Sequence, residues 1–355
     1  MLLQYFWWGS VFLAAVPIMA LTLIVGPFLL PESRDRQPGR LDLSSTGLSM
    51  VAVLAVIYGL KTVAADGIGE QAALSIALGI AAAGLFVRRQ NTLDHPLVDL
   101  AAFRVRAFTV SLSVNWLGIF VLGGTFLFIT QYFQLVVGLS PLHAGLSTIP
   151  SAIALIAGSL AAPLLGRLYR PPHATAIGLL VATMGCALLM LASSAIGFAA
   201  VIAGSVLLCL GIAPVITLAT DSVVSSAPPE RAESAASLSE TSIELGGSLG
   251  IAMLGSLGVW VYRSQLDDDL PAAAPHQEAA RSMETLGGAT DVSTELAGRL
   301  GDDLLTAAQS AFTSGLLVAS AVCGVIMTAL AVVAVVLQRS GTAKTWTFGA
   351  LRSRR

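Results

Sequence analysis

Two glutamates in an otherwise apolar stretch have the most chemistry to offer. Glu240 and Glu244 lie within ESAASLSETSIELGGSLGIAMLGSLGVWVY, which starts at Glu233 and reads as one membrane-spanning helix. A helix rises about 1.5 Å per residue, so Glu240 lies roughly 10 Å and Glu244 roughly 16 Å from Glu233. Half the hydrocarbon thickness is about 15 Å, which puts Glu244 near the midplane. The i, i+4 spacing sends both carboxylates out from one face, with Ser237 and Ser248. Low dielectric disfavours the charged form of a carboxyl group, so a glutamate there can take up and release a proton. It can equally pair with a cationic substrate, or serve packing alone by hydrogen bonding to a neighbouring helix. Ionisable residues inside a membrane mark function by default, and Glu240 is short of the midplane and can snorkel to the inner interface.

Small residues follow the acids directly. Gly246, Gly247, Gly250 and Gly255 accompany Ala252 and Ser256, and Gly246-x-x-x-Gly250 lets another helix approach closely. Such a helix packs tightly and is expected to slide. Asp221 ends an earlier apolar run after Pro214, Thr217 and Thr220, where solvation or a coupling role both fit. Asn115, Trp116, Gln131 and Gln134 share another run with Phe120, Phe126, Phe128, Tyr132 and Phe133. These can line a cavity for lipophilic molecules or form an ordinary packed face. The three cysteines lie inside apolar runs and the four histidines are scattered singly, so neither a disulfide framework nor a metal site is expected. No catalytic triad, P-loop or GxGxxG is present; the reading is of a protein that is not an enzyme and uses no cofactor.

The elements that must position these residues follow from composition. Of 355 residues, 55% are hydrophobic and only 11% charged, with a mean hydropathy of +0.81. A soluble domain carries about 25% charged residues, so most of this surface must meet lipid. The net charge of -2 gives no reason to expect nucleic acid. A span needs about 20 apolar residues, and nine runs qualify: Phe6–Leu30, Leu43–Ala64, Gln71–Val87, Phe108–Val137, His143–Leu165, Ala174–Leu191, Ile196–Thr220, Ala235–Tyr262 and Ala311–Leu337. The fold class is therefore all-α, a polytopic transmembrane bundle of about nine spans. Pro17, Pro150, Pro163 and Pro214 fall inside spans and are expected to kink them.

Charge sets the orientation. With the N-terminus outside, 15 of the 19 basic residues fall on the cytoplasmic side, leaving Lys61, Arg263, Arg281 and Arg299 outside. That bias is the positive-inside pattern of an N-out, C-in plasma-membrane protein. Basic residues follow the first run rather than precede it, which is the reverse of a signal peptide. The external loop 263–309 is rich in Asp, Glu, Ala, Gly and Ser, so part of it is expected to be mobile, while its Glu295–Gln309 end is expected to extend the last helix outward.

Several ordered stretches carry a family likeness. PESRD and GRLDLSSTGLSMVAVLAVIYGLK are followed by HPLVDLAAFRVRAFTVSLSVN and then TQYFQLVVGLSPLHAGLSTIPSA. This order resembles the fourteen-span drug:proton antiporters of the major facilitator superfamily, the EmrB/QacA type. LATDSVVSSAPPERAESAASLSETSIELGGSLGIAMLGS is similar to that family's last three spans. The resemblance covers nearly the whole chain and implies a truncated major facilitator fold, starting at the sixth span and ending at the fourteenth. By that match, residues 1–30 form span six, 31–106 hold the two extra central helices, and 107–355 form a C-terminal six-helix bundle with a basic tail. The acid of the first helix, the Gly/Arg/Asp loop between helices two and three and the Gly-Pro motif of the fifth would lie in the five missing spans. Only GRLYR (Gly166–Arg170) echoes that loop. The resemblance implies proton-coupled efflux of small lipophilic or cationic compounds from a bacterial cell, with Glu240 and Glu244 at acidic positions tied to coupling or recognition. Its implied partners are the lipid bilayer, a small substrate and protons. A dedicated exporter of one metabolite or antibiotic, or a non-transporting membrane fragment, are the alternatives.

Overall fold

The computed structural model describes residues 9–13, 15–29, 42–67, 69–93, 100, 102–227, 232–270, 276–296 and 298–339. Among them the backbone is almost wholly helical and contains no strand. After a single turn at Ser10–Leu13 come α1 (Val16–Leu29), α2 (Leu43–Asp66), α3 (Glu70–Gln90), α4 (Arg106–Gln131) and α5 (Pro141–Leu168). They are followed by α6 (Pro171–Leu189), α7 (Gly197–Ser225), α8 (Ala232–Asp269), α9 (His276–Glu284), α10 (Leu286–Glu295) and α11 (Arg299–Arg339). Eight of the described helices, α2 to α8 and α11, are long and apolar enough to cross a membrane. The first expected span appears as the shorter α1, and Phe6–Trp8, Ala14 and Leu30 of that run lie outside the described residues. Pro17 sits in the first turn of α1, where a missing N–H does no harm, so it does not kink the helix. Pro150, Pro163 and Pro214 do fall inside α5 and α7.

The chain divides into two compact units. One comprises residues 1–99 and 130–149, the other 100–129 and 150–355. In the first, α2 and α3 form an antiparallel hairpin turned at Gly67, whose φ of 82° suits glycine. Small residues let the two helices touch. A Cβ on Gly59 would come within 2.6 Å of the Ile76 side chain, and one on Gly79 within 2.6 Å of Val56. The far end of the hairpin is closed by polar groups. Arg89 donates to both oxygens of Asp42 at 2.8 and 2.9 Å, and Gln90 donates to Ser45 at 2.8 Å. Asp42 also caps α2 by accepting from the Ser44 N–H. The Arg89 hydrogen bond, helped by Ser45, holds the Asp42 carboxyl well below the usual carboxylate range.

In the second unit, backbones again meet at glycines. Gly178 faces Gly211 and Gly185 faces Gly204 between α6 and α7, while Gly158 of α5 abuts Leu210, Ala213 and Pro214. One small core joins Phe108 and Leu112 of α4, Val223 of α7 and Ala235 of α8. The loop expected to be partly mobile is largely helical. α8 runs on to Asp269, α9 and α10 follow, and α11 begins at Arg299. Leu286, Ala289 and Val292 line one face of α10 and are fully or almost fully buried, as are Leu266 and Leu304. Composition hid this, because three apolar residues at helical spacing suffice to seat a short helix. Thr285 caps α10, and Arg281 pairs with both oxygens of Glu295 at 2.9 and 3.4 Å.

Candidate functional site

The eighth helix has two unlike faces. On the covered face, Gly246, Gly250 and Leu254 press against α4. A Cβ on Gly246 would lie 2.5 Å from the Trp116 carbonyl oxygen, and one on Gly250 would overlap the Phe120 carbonyl oxygen. Gly247 lies against Gly123, Gly255 near Leu127, and Leu254 fills the notch left by Gly124. That last contact bears on the expected sliding. Moving α8 one turn would carry Leu254 either onto the Phe120 backbone, where only glycine fits, or onto the Phe128 ring that Gly258 now faces. The seam holds one register instead of serving as a track.

On the other face, Glu233, Ser237, Glu240, Glu244, Ser248 and Ile251 are all exposed. Their steps of three and four residues make one stripe along the helix. Glu240 and Glu244 have no ion pair or hydrogen bond among the described residues; the Ser237 and Thr241 hydroxyls donate back to the carbonyls of Glu233 and Ser237. A packing glutamate bonded to a neighbouring helix of this chain is therefore not what the structure holds. With 38 residues, α8 is about 57 Å long, nearly twice the hydrocarbon thickness. A hydrocarbon span starting at Glu233 would have Glu244 near its middle. A span of about 20 residues counted back from the Trp260–Tyr262 aromatics would instead end within a turn of Glu244.

Behind the stripe lies a buried amide. Asn115 is fully buried in α4 and donates to Thr220 of α7 at 3.2 Å and Ser239 of α8 at 3.0 Å. Its Oδ1 has no partner among the described residues. Reversing the amide in place would strand the NH₂ instead, so one side of this group is unsatisfied either way. The acids are the next residues on each helix, Asp221 after Thr220 and Glu240 after Ser239. One helical step turns about 100°. The hydroxyls that meet Asn115 therefore turn Asp221 and Glu240 outward, and both are exposed.

The other sequence candidates separate. Trp116 is half-buried on Gly246, its ring 5.9 Å from that of Phe120. Gln131 and Gln134 stand sixteen or more residues further along, in the last turn of α4 and in the π-helical turn Tyr132–Val136. Gln131 is half-buried, and exposed Gln134 bonds the Thr130 carbonyl at 3.5 Å. Sequence reading missed the Asn115 junction, since a lone asparagine gives no hint of which hydroxyls will face it. It also missed the Ser151–Ser205 bond between α5 and α7, 2.7 Å and buried. Among the described residues no three His, Cys, Asp or Glu gather as a metal site.

Known proteins supply a family. The profile of the Major Facilitator Superfamily matches residues 1–251. The "Multidrug efflux pump LfrA" of Mycolicibacterium smegmatis is 38% identical over 339 residues, 95% of this chain and 67% of the relative. The "Tetracenomycin C resistance and export protein" of Streptomyces glaucescens is 30% identical, over 96% of this chain and 64% of its own. The "Methyl viologen resistance protein SmvA" of Salmonella typhimurium is 30% identical, over 88% and 63%. The chain thus spans about two thirds of the length of these three relatives.

Proposed function

This chain belongs to the Major Facilitator Superfamily, and from that premise we propose that it is part of a drug exporter that exchanges small lipophilic or cationic compounds for protons. It is a multi-pass membrane protein with bacterial efflux and resistance proteins among its relatives. The observation that carries the proposal is the uncovered stripe of α8. A charged residue facing hydrocarbon costs about 2.5 kcal/mol or more at the bilayer centre. Glu240 and Glu244, exposed and unpaired among the described residues, belong on a face that meets water, substrate or further helices. Glu244 takes the coupling proton or the cationic substrate, Glu240 assists nearer the inner side, and Asp221 flanks them. Glycines 246, 247, 250 and 255 hold the stripe at one angle.

The same reading makes this chain the later part of a fourteen-span antiporter. Nine of fourteen spans is close to the 64% and 63% of the relatives' lengths that it covers. Residues 1–30, 31–106 and 107–355 then correspond to span six, the two extra central helices and the C-terminal six helices. An N-out, C-in topology goes with it. Labelling Gln277→Cys from outside and Thr92→Cys only from inside tests that; reversed labelling sinks it. Likeness to a tetracenomycin C export protein favours a second reading, a dedicated exporter, which a compound panel separates by its single hit.

The decisive test is Glu244→Gln in the whole protein that contains this chain, assayed for proton-driven ethidium efflux. Glutamine keeps size and hydrogen bonding and removes titration. Efflux should fall at least about tenfold, within the range a lost coupling group allows, while insertion persists; ethidium binding that also persists assigns Glu244 the proton, and binding that is lost assigns it the cation. Glu240→Gln should lose less. Normal proton-driven efflux in Glu244→Gln sinks the assignment of coupling or recognition to this residue.

A further inference from the structure

The outer end of α8 carries a cavity that the transport reading leaves unused. It lies between α8 and α9, holds about 520 Å³, and is lined by Trp260, Arg263, Asp267, Met283 and Glu284 among others. Its walls are tied together. The buried Tyr262 hydroxyl donates to the Ser282 carbonyl at 2.7 Å, and Arg263 Nε donates to the Met283 carbonyl at 3.3 Å. Trp260 is 63% exposed and stands where the apolar sequence of α8 gives way to Arg263 and Asp267–Asp269. Exposed tryptophan at such a transition is the residue of the membrane–water boundary.

Direction around the helix is informative. Trp260 follows Glu244 by sixteen residues, which is about 160° of rotation at roughly 100° per residue. The cavity therefore opens nearly opposite the acidic stripe. With the stripe on the transport path, an assignment that rests on the function proposed above, the cavity faces lipid. Its charges are mixed. Arg263 is positive, while Asp267 and Glu284 are negative and have no ion pair or hydrogen bond among the described residues. A simple cation would meet Arg263 and a simple anion would meet the two carboxylates. A zwitterion with a phosphate beside a primary ammonium suits both halves. Ammonium offers three donors, enough for both carboxylates, and guanidinium is suited to phosphate. Trp260 and Met283 then lie against the apolar start of the molecule.

We infer that the cavity between the outer end of α8 and α9 binds the headgroup of an ethanolamine phospholipid, ammonium toward Asp267 and Glu284 and phosphate toward Arg263. A choline headgroup of equal net charge has three methyl groups in place of the donors, and a glycerol headgroup has no cation. The test uses the whole protein purified in mild detergent. Native mass spectrometry measures retention of phosphatidylethanolamine, phosphatidylcholine and phosphatidylglycerol with identical acyl chains. Wild type should retain the ethanolamine lipid roughly fivefold to tenfold over the other two, the scale of one or two solvent-exposed ion pairs. Asp267→Asn with Glu284→Gln should abolish that preference without changing choline-lipid retention, and Asp267→Glu should restore part of it. Both sites are exposed, so neutralising them should leave folding intact. Equal retention of all three lipids overturns the inference, as does an unchanged preference in the double variant. Displacement of every lipid alike by tetraphenylphosphonium also overturns it and assigns the cavity to an organic cation. In Glu244→Gln the lipid preference should persist. Its transport result bears on the stripe alone, and the lipid ratio bears on this cavity alone.

Discussion

The α2–α3 hairpin and the α8–α4 pair are built with the same device and used differently. Each brings two helices together at glycines, Gly59 and Gly79 in one, Gly246 and Gly250 in the other. In the hairpin the polar side chains at the open end find each other, Asp42 with Arg89 and Ser45 with Gln90. Much of the rest of its surface is apolar and exposed, with Leu54 and Leu74 among the uncovered residues. In α8 the carboxylates on the uncovered face, Glu240 and Glu244, find no partner among the described residues, and the covered face is where the helix is gripped. Small residues determine only how closely two helices approach. Whether the pair serves as a staple or a presenting surface depends on where the carboxylates fall relative to that seam.

The largest effect separating the two seams is expected from adding side chains to the glycines. A Cβ at Gly250 overlaps the Phe120 backbone, which cannot move alone. At Gly79 the nearest atom is the tip of the Val56 side chain at 2.6 Å, with the Ala52 carbonyl oxygen at 3.0 Å. Overpacking costs about 1–3 kcal/mol in general, and more where backbone must shift. Gly250→Val should therefore lower the melting temperature in detergent clearly more than Gly79→Val, and should lower efflux with it. An equal loss from both would mean that the α8 seam is no more rigid than the hairpin.

Much of this was legible in the sequence, and the reasons differ by feature. Spans α2 to α8 and α11 follow from hydropathy and length, because lipid leaves the backbone no alternative to helix. The Glu240–Glu244 face follows from spacing. The locked register of α8 does not, because Leu254 looks like any apolar residue until Gly124 is seen beneath it. Nor does the junction at Asn115, whose two partners lie 105 and 124 residues away. Within 263–309 the short helices α9 and α10 were obscured by acids and glycines, although Leu286, Ala289 and Val292 already held helical spacing.

A middle-sized effect is expected at Asn115, the polar contact behind the stripe. Polar contacts between membrane helices average about 0.6 kcal/mol and reach about 1.7. Asn115→Ala removes two donor contacts at once, and should cost about 1 kcal/mol. It also removes the unpaired Oδ1, which offsets part of that loss. The comparison is sharpened by Gln90→Ala, which removes the buried bond to Ser45 in the hairpin. Both should destabilise modestly in thermal unfolding. Only Asn115→Ala should also change the pH profile of efflux, because only its partners adjoin Asp221 and Glu240. Matching profiles in the two variants would detach Asn115 from the acids.

The smallest effect concerns the staple itself. Asp42→Asn keeps an oxygen able to cap α2 and removes the charge that Arg89 grips, so it isolates the ion pair from the cap. The sign follows from the direction of the shift. The folded carboxyl lies below its ordinary value because it accepts from Arg89 and Ser45. A group depressed on folding stabilises above its unfolded value, about 3.9 for Asp, and loses that contribution only as pH falls further, through the folded value. The difference in melting temperature between wild type and Asp42→Asn should thus be constant from neutral pH down to about pH 4 and shrink only below it. Exposure of Arg89 keeps it small, since solvent and salt screen the pair. A difference already vanishing between pH 7 and 5 would show that Asp42 is not held by Arg89. The hairpin would then rest on the close approach at Gly59 and Gly79 and on the Ser45–Gln90 and Tyr58–Gln71 bonds.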